Sequence, residues 1–361
     1  MENGMCTRPK SNRKNEAGFS IAELMVALTV FAVLTGAVLA LMRDSLKVGT
    51  TTYELTDAQE NLRNSQEYIN RDLVNAGDGL NSINKILVPR AFVTNYLAVS
   101  PFDNPGTPGY VNLALLNSDN NVAAGTTVRG TTPAVTVRSS PSATDRISML
   151  EIDPNFTPIA LTASAIPSNG TYITVPAADL SKFSVGEVYF LTSSAGATFG
   201  AITSITTASN RLNFANGDTL GLNVTGSNGM IGTVSGASSL PTSLMRMQII
   251  HYFINSNGLF VRRAFGVKGA GYRDSVIAEH VMNMHIRYFL NLRGSDGNVV
   301  QPVASLTSST QQLAVRQVEV AITTETPHAI STKQQQQLTM TTSTSVRNMQ
   351  FRQTTLPTLN R

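Results

Sequence analysis

The chain has 361 residues, of which 14% are charged and 6% are aromatic, and its formal net charge at pH 7 is +4. A nearly neutral protein offers no electrostatic basis for binding nucleic acid, so we expect no nucleic-acid partner. Few charges and many small polar residues suit an extracytoplasmic, β-rich surface better than a cytosolic enzyme.

The first segment, residues 1–18, is polar and basic. It holds four basic residues against two acidic ones, so its removal would lower the net charge from +4 to +2. The single cysteine, Cys6, also lies in this segment. We expect residues 1–18 to be a cleaved leader, and the product would then contain no disulfide and no cysteine-based metal site.

An uncharged apolar run follows, from Leu24 to Met42. As a helix, its roughly 19 residues at 1.5 Å each would extend about 28 Å, which matches the hydrocarbon core of a bilayer. The basic residues before the run favour a cytoplasmic N-terminus, with everything after Arg43 outside. We therefore predict a single-pass protein of the inner membrane with a periplasmic head, in which residues 19–45 form the transmembrane or filament-core helix.

Two features separate this segment from a common secretory signal peptide. Such a peptide has a shorter apolar stretch followed by a small-residue cleavage site, which Val38-Leu39-Ala40 could imitate. Here the apolar run is longer and continues directly into a helical pattern. Gly18 stands immediately before the run, and Glu23 lies within its first turns.

The segment from Gly18 to Leu28, Gly-Phe-Ser-Ile-Ala-Glu-Leu-Met-Val-Ala-Leu, resembles the class III signal of type IV prepilins and type II secretion pseudopilins. The resemblance implies that prepilin peptidase cuts between Gly18 and Phe19, that the new amine of Phe19 is methylated, and that Glu23 supports assembly. It also implies further partners: other major and minor pilins through the N-terminal helix, the inner-membrane assembly platform, and membrane lipid before assembly.

The position of Glu23 has a physical cost. A carboxylate near the edge of a membrane helix costs about 1–3 kcal/mol unless it snorkels to the interface or finds a partner. Snorkelling is one interpretation. The other is an ion pair with the freed amine of Phe19 on a neighbouring subunit, which would resist screening inside an apolar bundle and could fix axial register.

Beyond the apolar run the pattern becomes amphipathic and predicts one helix over residues 21–76. The positions expected to form its buried stripe are Leu55, Ala58, Leu62, Ile69, Leu73 and Ala76. The positions expected on the opposite face are Glu54, Asp57, Glu60, Arg63, Glu67, Asn70 and Asp72. Gly77-Asp78-Gly79 predicts the end of the helix, and low helix propensity predicts a weak point at residues 49–52. We assign residues 46–89 to the helical spine of a head.

Residues 61–77 resemble a narrower group. A helix ending in Arg-Asp-Leu and then Ala-Gly is similar to PilW-type minor pilins and J-type minor pseudopilins, and here it reads Arg71-Asp72-Leu73 and Ala76-Gly77. The alternative is an ordinary amphipathic helix with a glycine cap.

After residue 80, short alternating runs predict antiparallel strands. The clearest is a hairpin in which residues 247–254 and 259–265 flank Asn255-Ser256-Asn257-Gly258. Further strands are predicted at 281–290, 315–323 and 339–347. The order of motifs in residues 245–361 also resembles PilW-type heads. These observations predict an α+β, pilin-like fold: a long N-terminal α-helix packed on an antiparallel β-sheet head with a β-rich insertion.

Residues 90–244 form the predicted insertion. The segments 183–191, 200–206 and 211–214 predict a small group of about five strands with a barrel-like arrangement. Residues 100–145 and 216–244 are rich in Gly, Ser, Thr, Asn and Pro, which predicts long loops. Such loops would be either solvent-exposed decoration or a surface that contacts a partner.

The sequence offers little catalytic chemistry. His280 and His285 are five positions apart, which puts them on opposite faces of a strand and fits no helical metal pair. Glu151 and Asp153 could bind calcium, although a strand edge is the simpler interpretation. Residues 266–271 are glycine-rich but follow a hairpin arm, so they predict a loop. We expect no metal, no cofactor and no enzyme.

The leading hypothesis is a PilW-like minor pilin of a type IV pilus that helps to initiate or cap filament assembly and sits near the tip. One alternative is a minor pseudopilin of a type II secretion system. Others are a pilus-tip adhesin that uses residues 90–244, and a plain signal-anchored periplasmic protein.

Overall fold

The structure is a computed structural model in which the described residues are 18–77, 86–97, 109–113, 115–122, 127–128, 135–136, 143–153, 155–193, 196–225, 231–232, 242–266, 272–292, 298–299, 302–308, 311–312, 314–328 and 335–346. The chain divides into two compact units, Met1–Glu54 and Leu55–Arg361. We call the second unit the head and treat each unit by itself. Of the predicted leader, only Gly18 lies among the described residues.

Helix α1 spans Ile21–Asn75, which confirms the predicted helix to within one residue. It ends as its glycine signal predicts, because Gly77 has φ +76° and its N–H donates to the carbonyl of Leu150 at 2.8 Å. Asp78 and Gly79 lie outside the described residues.

The predicted weak point at residues 49–52 is not a break, since α1 continues through it. Two threonine hydroxyls in this stretch bond back to the preceding turn: Thr50 donates to the carbonyl of Lys47 at 3.0 Å, and Thr52 donates to that of Val48 at 2.9 Å. These local bonds occupy the hydroxyls that would otherwise compete with the helix.

The head contains eighteen short or medium strands among its described residues. They are β1 Ile86–Pro89, β2 Tyr110–Asn112, β3 Leu116–Val122, β4 Thr127–Val128, β5 Val135–Thr136, β6 Thr144–Ile152, β7 Ile159–Leu161, β8 Tyr172–Thr174, β9 Val188–Ser193, β10 Gly196–Ala201, β11 Ser204–Thr206, β12 Arg211–Asn213, β13 Thr242–Ile254, β14 Phe260–Phe265, β15 Tyr272–Ala278, β16 Val281–Leu290, β17 Val315–Glu325 and β18 Gln337–Ser345. Helical segments are α2 Arg90–Phe92, the π-helix Val93–Leu97 and short 3₁₀ turns at Ala163–Ala165, Ala177–Lys182 and Thr207–Ser209.

The largest sheet is built around β13. Its strand order is β15-β14-β13-β9-β10-β1-β2; in addition, β6 and β7 pair with β13, and β3 pairs with β6. The pairing of β1 with β10 is parallel, whereas the other pairings in this sheet are antiparallel. The long strand β13 therefore ties the last third of the sequence to strands from the predicted insertion.

The predicted hairpin is confirmed. Strands β13 and β14 pair from Ile249↔Phe265 to Ile254↔Phe260. The connecting loop is closed by Asn255, whose N–H donates to the carbonyl of Leu259 at 3.0 Å and whose carbonyl accepts the N–H of Gly258 at 3.0 Å.

A second sheet has the order β16-β17-β18. Its first two strands match the predictions, and β17 extends two residues beyond the predicted end. Along β16 the side chains of Met284, Ile286 and Tyr288 are buried while those between them are not, so the predicted alternation is confirmed. Arg347, at the predicted end of the last strand, lies outside the described residues.

The insertion differs from its predicted arrangement. Its strands do not form a barrel of their own: β9 and β10 are members of the large sheet, while β11, β12 and β8 form a separate three-stranded sheet. Residues 100–145, predicted as loop, include β2 to β5 and the start of β6. The error has a physical cause, because β9 is fixed by pairing with β13, about fifty residues later in the chain, and this partner leaves no local signal.

Within the head, the C-terminal part of α1 packs on the sheets through the predicted stripe. Ala58, Leu62, Ile69, Leu73 and Ala76 are buried, as predicted, and Leu55 is half-buried. The exception is Asp72, which was predicted on the exposed face and is only 1% exposed. At 100° per residue Asp72 lies at the edge of the buried face and not opposite it, so its position follows from the helix period.

Candidate functional site

The candidate site begins with the residues just before α1. Gly18, Phe19 and Ser20 precede the helix and are exposed. The side chain of Phe19 is 86% exposed. The peptide bond proposed for cleavage, between Gly18 and Phe19, is thus outside regular secondary structure, where a peptidase can bind an extended backbone.

Glu23 is held at the helix start by a capping box. The N–H of Ser20 donates to Oε2 of Glu23 at 2.9 Å, and the N–H of Glu23 donates to the Ser20 hydroxyl at 3.2 Å. The carbonyl of Ser20 accepts the N–H of Leu24 at 3.1 Å, so Ser20 is the N-cap residue. Reciprocal bonding of this kind fixes the side chain relative to the backbone.

The capping box gives Glu23 a role that the sequence interpretation missed. The signal was readable, because Ser20-Ile21-Ala22-Glu23 fits the pattern Ser/Thr-x-x-Glu before an apolar run. A carboxylate also interacts favourably with the positive end of the helix dipole. Since an ionised carboxylate has about four acceptor positions, one bond to Ser20 leaves capacity for an ammonium group.

The apolar side chains that follow are exposed to solvent in the isolated chain. From Phe19 to Val48 every large apolar side chain is at least 53% exposed. Within the described residues, α1 is the one helix long and apolar enough to cross a membrane, and none of its apolar window is buried. An unburied apolar helix of this length needs lipid or other helices around it.

The other candidates from the sequence do not come together as a metal site. His280 lies in the turn before β16 with φ +55°, whereas His285 lies within β16, 3.8 Å from Asp145. Among the described residues, no group of three or more His, Cys, Asp or Glu side chains could hold a metal ion.

The carboxylates considered for calcium are bonded to different partners. Arg246 Nε donates to Oδ2 of Asp153 at 2.8 Å, and the N–H of Asn155 donates to Oδ1 of the same side chain at 2.9 Å. Glu151 accepts a hydrogen bond from the Asn75 side chain at 3.3 Å. These contacts give the two residues structural roles and do not support the calcium interpretation.

A buried polar cluster joins α1 to the hairpin. Oδ2 of Asp72 accepts hydrogen bonds from the hydroxyl of Tyr252 at 2.7 Å and from Arg262 Nε at 2.5 Å. Burial and the negative charge of Asp72 raise the pKa of Tyr252, so its hydroxyl stays protonated and donates. The cluster fixes the angle at which the end of α1 meets the sheet.

A second buried cluster lies on the large sheet around His251. Ser148, His251 and Arg263 are directly opposite one another on β6, β13 and β14. Arg263 is fully buried and donates two hydrogen bonds to Asp274 at 2.7 and 2.8 Å. Burial and the nearby charges of Arg146 and Arg263 hold the pKa of His251 well below its usual value, so the imidazole is neutral.

Comparisons with known proteins agree with the N-terminal site. Residues 13–39 match the family described as Prokaryotic N-terminal methylation motif. No curated protein and no solved structure gives a significant match to the chain. The matched segment contains Gly18, Phe19, Glu23 and most of the apolar run. Together, the motif and the exposed apolar helix support a membrane-anchored, single-pass protein of the prepilin type, with a type IV pilin-like architecture.

Proposed function

We propose that this chain is a minor pilin of a type IV pilus, most similar to PilW-type subunits, and not an enzyme. Prepilin peptidase removes residues 1–18, and the new amine of Phe19 is methylated. Before assembly, the subunit is anchored in the inner membrane with a cytoplasmic N-terminus and a periplasmic head. The assembly platform then inserts it among other pilins, near the tip, where it helps to initiate or cap the filament.

The observation that carries the proposal is the position of Glu23. Its carboxylate is fixed at the start of an exposed apolar helix, four positions after the amine that cleavage would create. When several such helices pack together, the carboxylate of one subunit can accept the ammonium group of another. In an apolar environment, salt and water screen this ion pair only weakly. A subunit displaced along the filament axis would leave a buried charge without its partner, which is costly, so the pair favours a single axial register.

The size of the head supports a minor rather than a major subunit. The head unit extends from Leu55 to Arg361, and its described residues form four sheets of ten, three, three and two strands. A slender shaft that repeats one subunit along its length favours compact heads. A large head is better accommodated at an end, where it needs neighbours on one side only.

The proposal is tested by measuring the ratio of this protein to the major subunit in purified pili by quantitative mass spectrometry. We expect a small, constant number of copies for each filament, and fewer pili in cells that lack the gene. A stoichiometric ratio along the shafts would contradict the minor role. Normal piliation with loss of protein secretion would instead assign the chain to a type II secretion pseudopilus.

A further inference from the structure

The exposed edge of β18 differs from the edges of β15 and β16 in the described part of the head. Strand β18 has nine residues, Gln-Leu-Thr-Met-Thr-Thr-Ser-Thr-Ser, with no charged residue and no proline. It pairs with β17 from Gln317↔Ser345 to Glu325↔Gln337 without a register shift. No described strand pairs with its other side. Long, flat, uncharged edges are templates for an additional strand, and proteins normally block them.

Two other edges in the described part of the head carry such blocks. Strand β15 ends the large sheet with the exposed charges Arg273 and Asp274, and its pairing with β14 contains a register shift. The free side of β16 is covered by side chains: the N–H of Met284 donates to Thr144 Oγ1 at 3.1 Å, and that of Ile286 donates to Asp145 Oδ2 at 2.8 Å.

The main-chain groups on the open side of β18 can be identified from its hydrogen bonds to β17. The N–H of Val346 donates to the carbonyl of Arg316, and the N–H of Thr326 donates to that of Gln336. In an antiparallel pair, alternate residues direct both main-chain groups to the partner strand. The even-numbered residues of β18 therefore bond to β17. The odd-numbered residues direct theirs outward, and all five are exposed, among them Thr339, Thr341 and Ser343.

A groove runs beside this edge, which is the second observation. It has a volume of about 750 Å³ and lies between α1 and the first half of β18. Leu338 and Met340 line it on the strand side, and Met340 is 42% exposed. Glu60 and Arg63, both exposed, line it on the helix side. The open main chain thus lies beside a groove of mixed polarity, in which Leu62, Leu338 and Met340 offer apolar contacts for alternate side chains, as in known modes of strand addition.

We propose that β18 takes up an extended strand from the head of a neighbouring subunit in the same filament. The uncharged edge of β18 favours an uncharged incoming strand, because a charged side chain facing Leu338 and Met340 would lose its hydration without gaining a partner. We therefore expect about five uncharged residues with small or apolar side chains on the inward side. Charges at the rim would complement Glu60 and Arg63. The identity of the partner rests on the proposed function, since helix assembly is what brings two heads together.

The test uses the full chain in filaments isolated from its own cells. A benzophenone probe is attached at Thr339→Cys, on the open edge, and in a separate variant at Thr206→Cys, an exposed residue of β11. After irradiation, we expect cross-links from position 339 to one other filament subunit, and few from position 206. Cross-links only to a second copy of this chain, or only to its own residues 347–361, would overturn the proposal. So would equal yields from the two positions.

A matched pair of variants tests the main-chain contribution. Thr341→Pro removes an outward N–H and spares the ladder to β17, whereas Thr341→Val keeps that N–H. We expect Thr341→Pro to lower the cross-link yield from position 339 on the order of tenfold, as the loss of one or two hydrogen bonds implies, and Thr341→Val to leave it unchanged. Ser343→Pro is a second variant of the same kind if Thr341→Pro lowers the melting temperature.

The outcomes separate this proposal from the proposed function. A chain that enters filaments normally, with unchanged cross-links in both proline variants, refutes strand addition at β18 and leaves the pilin role intact. A chain that never enters filaments refutes the pilin role and, with it, the partner inferred here.

Discussion

The carboxylate of Asp72 on α1 accepts a hydrogen bond from Nε of Arg262 on β14 at 2.5 Å, inside the head. Asp72 is 1% exposed and also accepts the hydroxyl proton of Tyr252. The last turn of the helix is therefore joined to the hairpin by a charged contact, and the surrounding apolar stripe supplies the rest of the packing.

Removing Asp72 should destabilise the head strongly. Asp72→Ala leaves the buried hydroxyl of Tyr252 and the half-buried Arg262 without this acceptor, although Glu151 remains 4.0 Å from Arg262. Breaking a buried pair costs about 3–5 kcal/mol, and we expect the lower end of that range here. The free energy of unfolding can be followed in detergent by denaturant titration and tyrosine circular dichroism. The control is Glu67→Ala, an exposed residue of the same helix, for which we expect a change within about 0.5 kcal/mol. Equal effects in the two variants would contradict the role given to Asp72.

His251 should make the head less stable in mild acid. Its pKa is well below the usual value when folded and near 6.5 when unfolded, so the unfolded chain binds a proton that the folded chain does not. The contribution of a neutral His251 is complete above pH 6.5. It is lost as the pH falls from there toward the folded pKa, with a slope of up to about 1.4 kcal/mol per pH unit.

The measurement is the free energy of unfolding between pH 7.5 and 5 for wild type and for His251→Gln. The difference between the two should shrink or reverse as the pH falls. Asp145 and Glu151, whose pKa values are raised by burial, act in the opposite direction but are common to both proteins. A parallel pair of curves for wild type and His251→Gln would contradict the account.

A pair of glycines separates backbone strain from packing. Gly221 and Gly266 both have positive φ, +65° and +79°. A Cβ at Gly221 would meet nothing within 4 Å, whereas one at Gly266 would lie 2.8 Å from Cβ of Val188. We expect Gly221→Ala to cost about 1–2 kcal/mol from strain alone. Gly266→Ala should cost a further 1–3 kcal/mol, about the usual penalty for overpacking. Melting temperatures of the two variants check this order, which similar losses would contradict.

The features predicted correctly from the sequence are those with a local pattern. The helix over residues 21–76 follows from an apolar run and then an amphipathic period, and the hairpin follows from two alternating runs around Asn255-Ser256-Asn257-Gly258. The membership of β9 and β10 in the large sheet depends on pairing with β13, so local periodicity could not reveal it.

The two buried polar clusters could not be predicted from the sequence for the same reason. A charged residue such as Asp72 is assigned to the surface unless its partners are known, and Arg262 lies 190 residues away along the chain. The residues of the candidate site, in contrast, form one short motif from Gly18 to Glu23. The capping bond between Ser20 and Glu23 was also readable there, but the membrane argument drew attention to the charge of Glu23 alone.

The double role of Glu23 can be resolved by three variants. Glu23→Gln keeps an oxygen that can accept the N–H of Ser20 but removes the charge, whereas Glu23→Ala removes both. Ser20→Ala removes only its half of the capping box. If the ion pair with Phe19 drives assembly, Glu23→Gln and Glu23→Ala should enter filaments equally poorly, and Ser20→Ala should enter them almost normally.

Incorporation is measured as the fraction of each variant recovered with sheared filaments, relative to the amount in membranes. All three variants should still be inserted in the membrane and cleaved. Normal assembly of Glu23→Gln with poor assembly of Ser20→Ala would show that capping matters and the charge does not.

The mass of the mature N-terminus, measured on protein isolated from its own cells, tests the central claim most directly. We expect a chain that begins at Phe19 and carries one methyl group on its amine. An intact Met1, or a chain that begins at Leu41 after cleavage behind Ala40, would contradict the assignment of Gly18, Phe19 and Glu23 to processing and assembly.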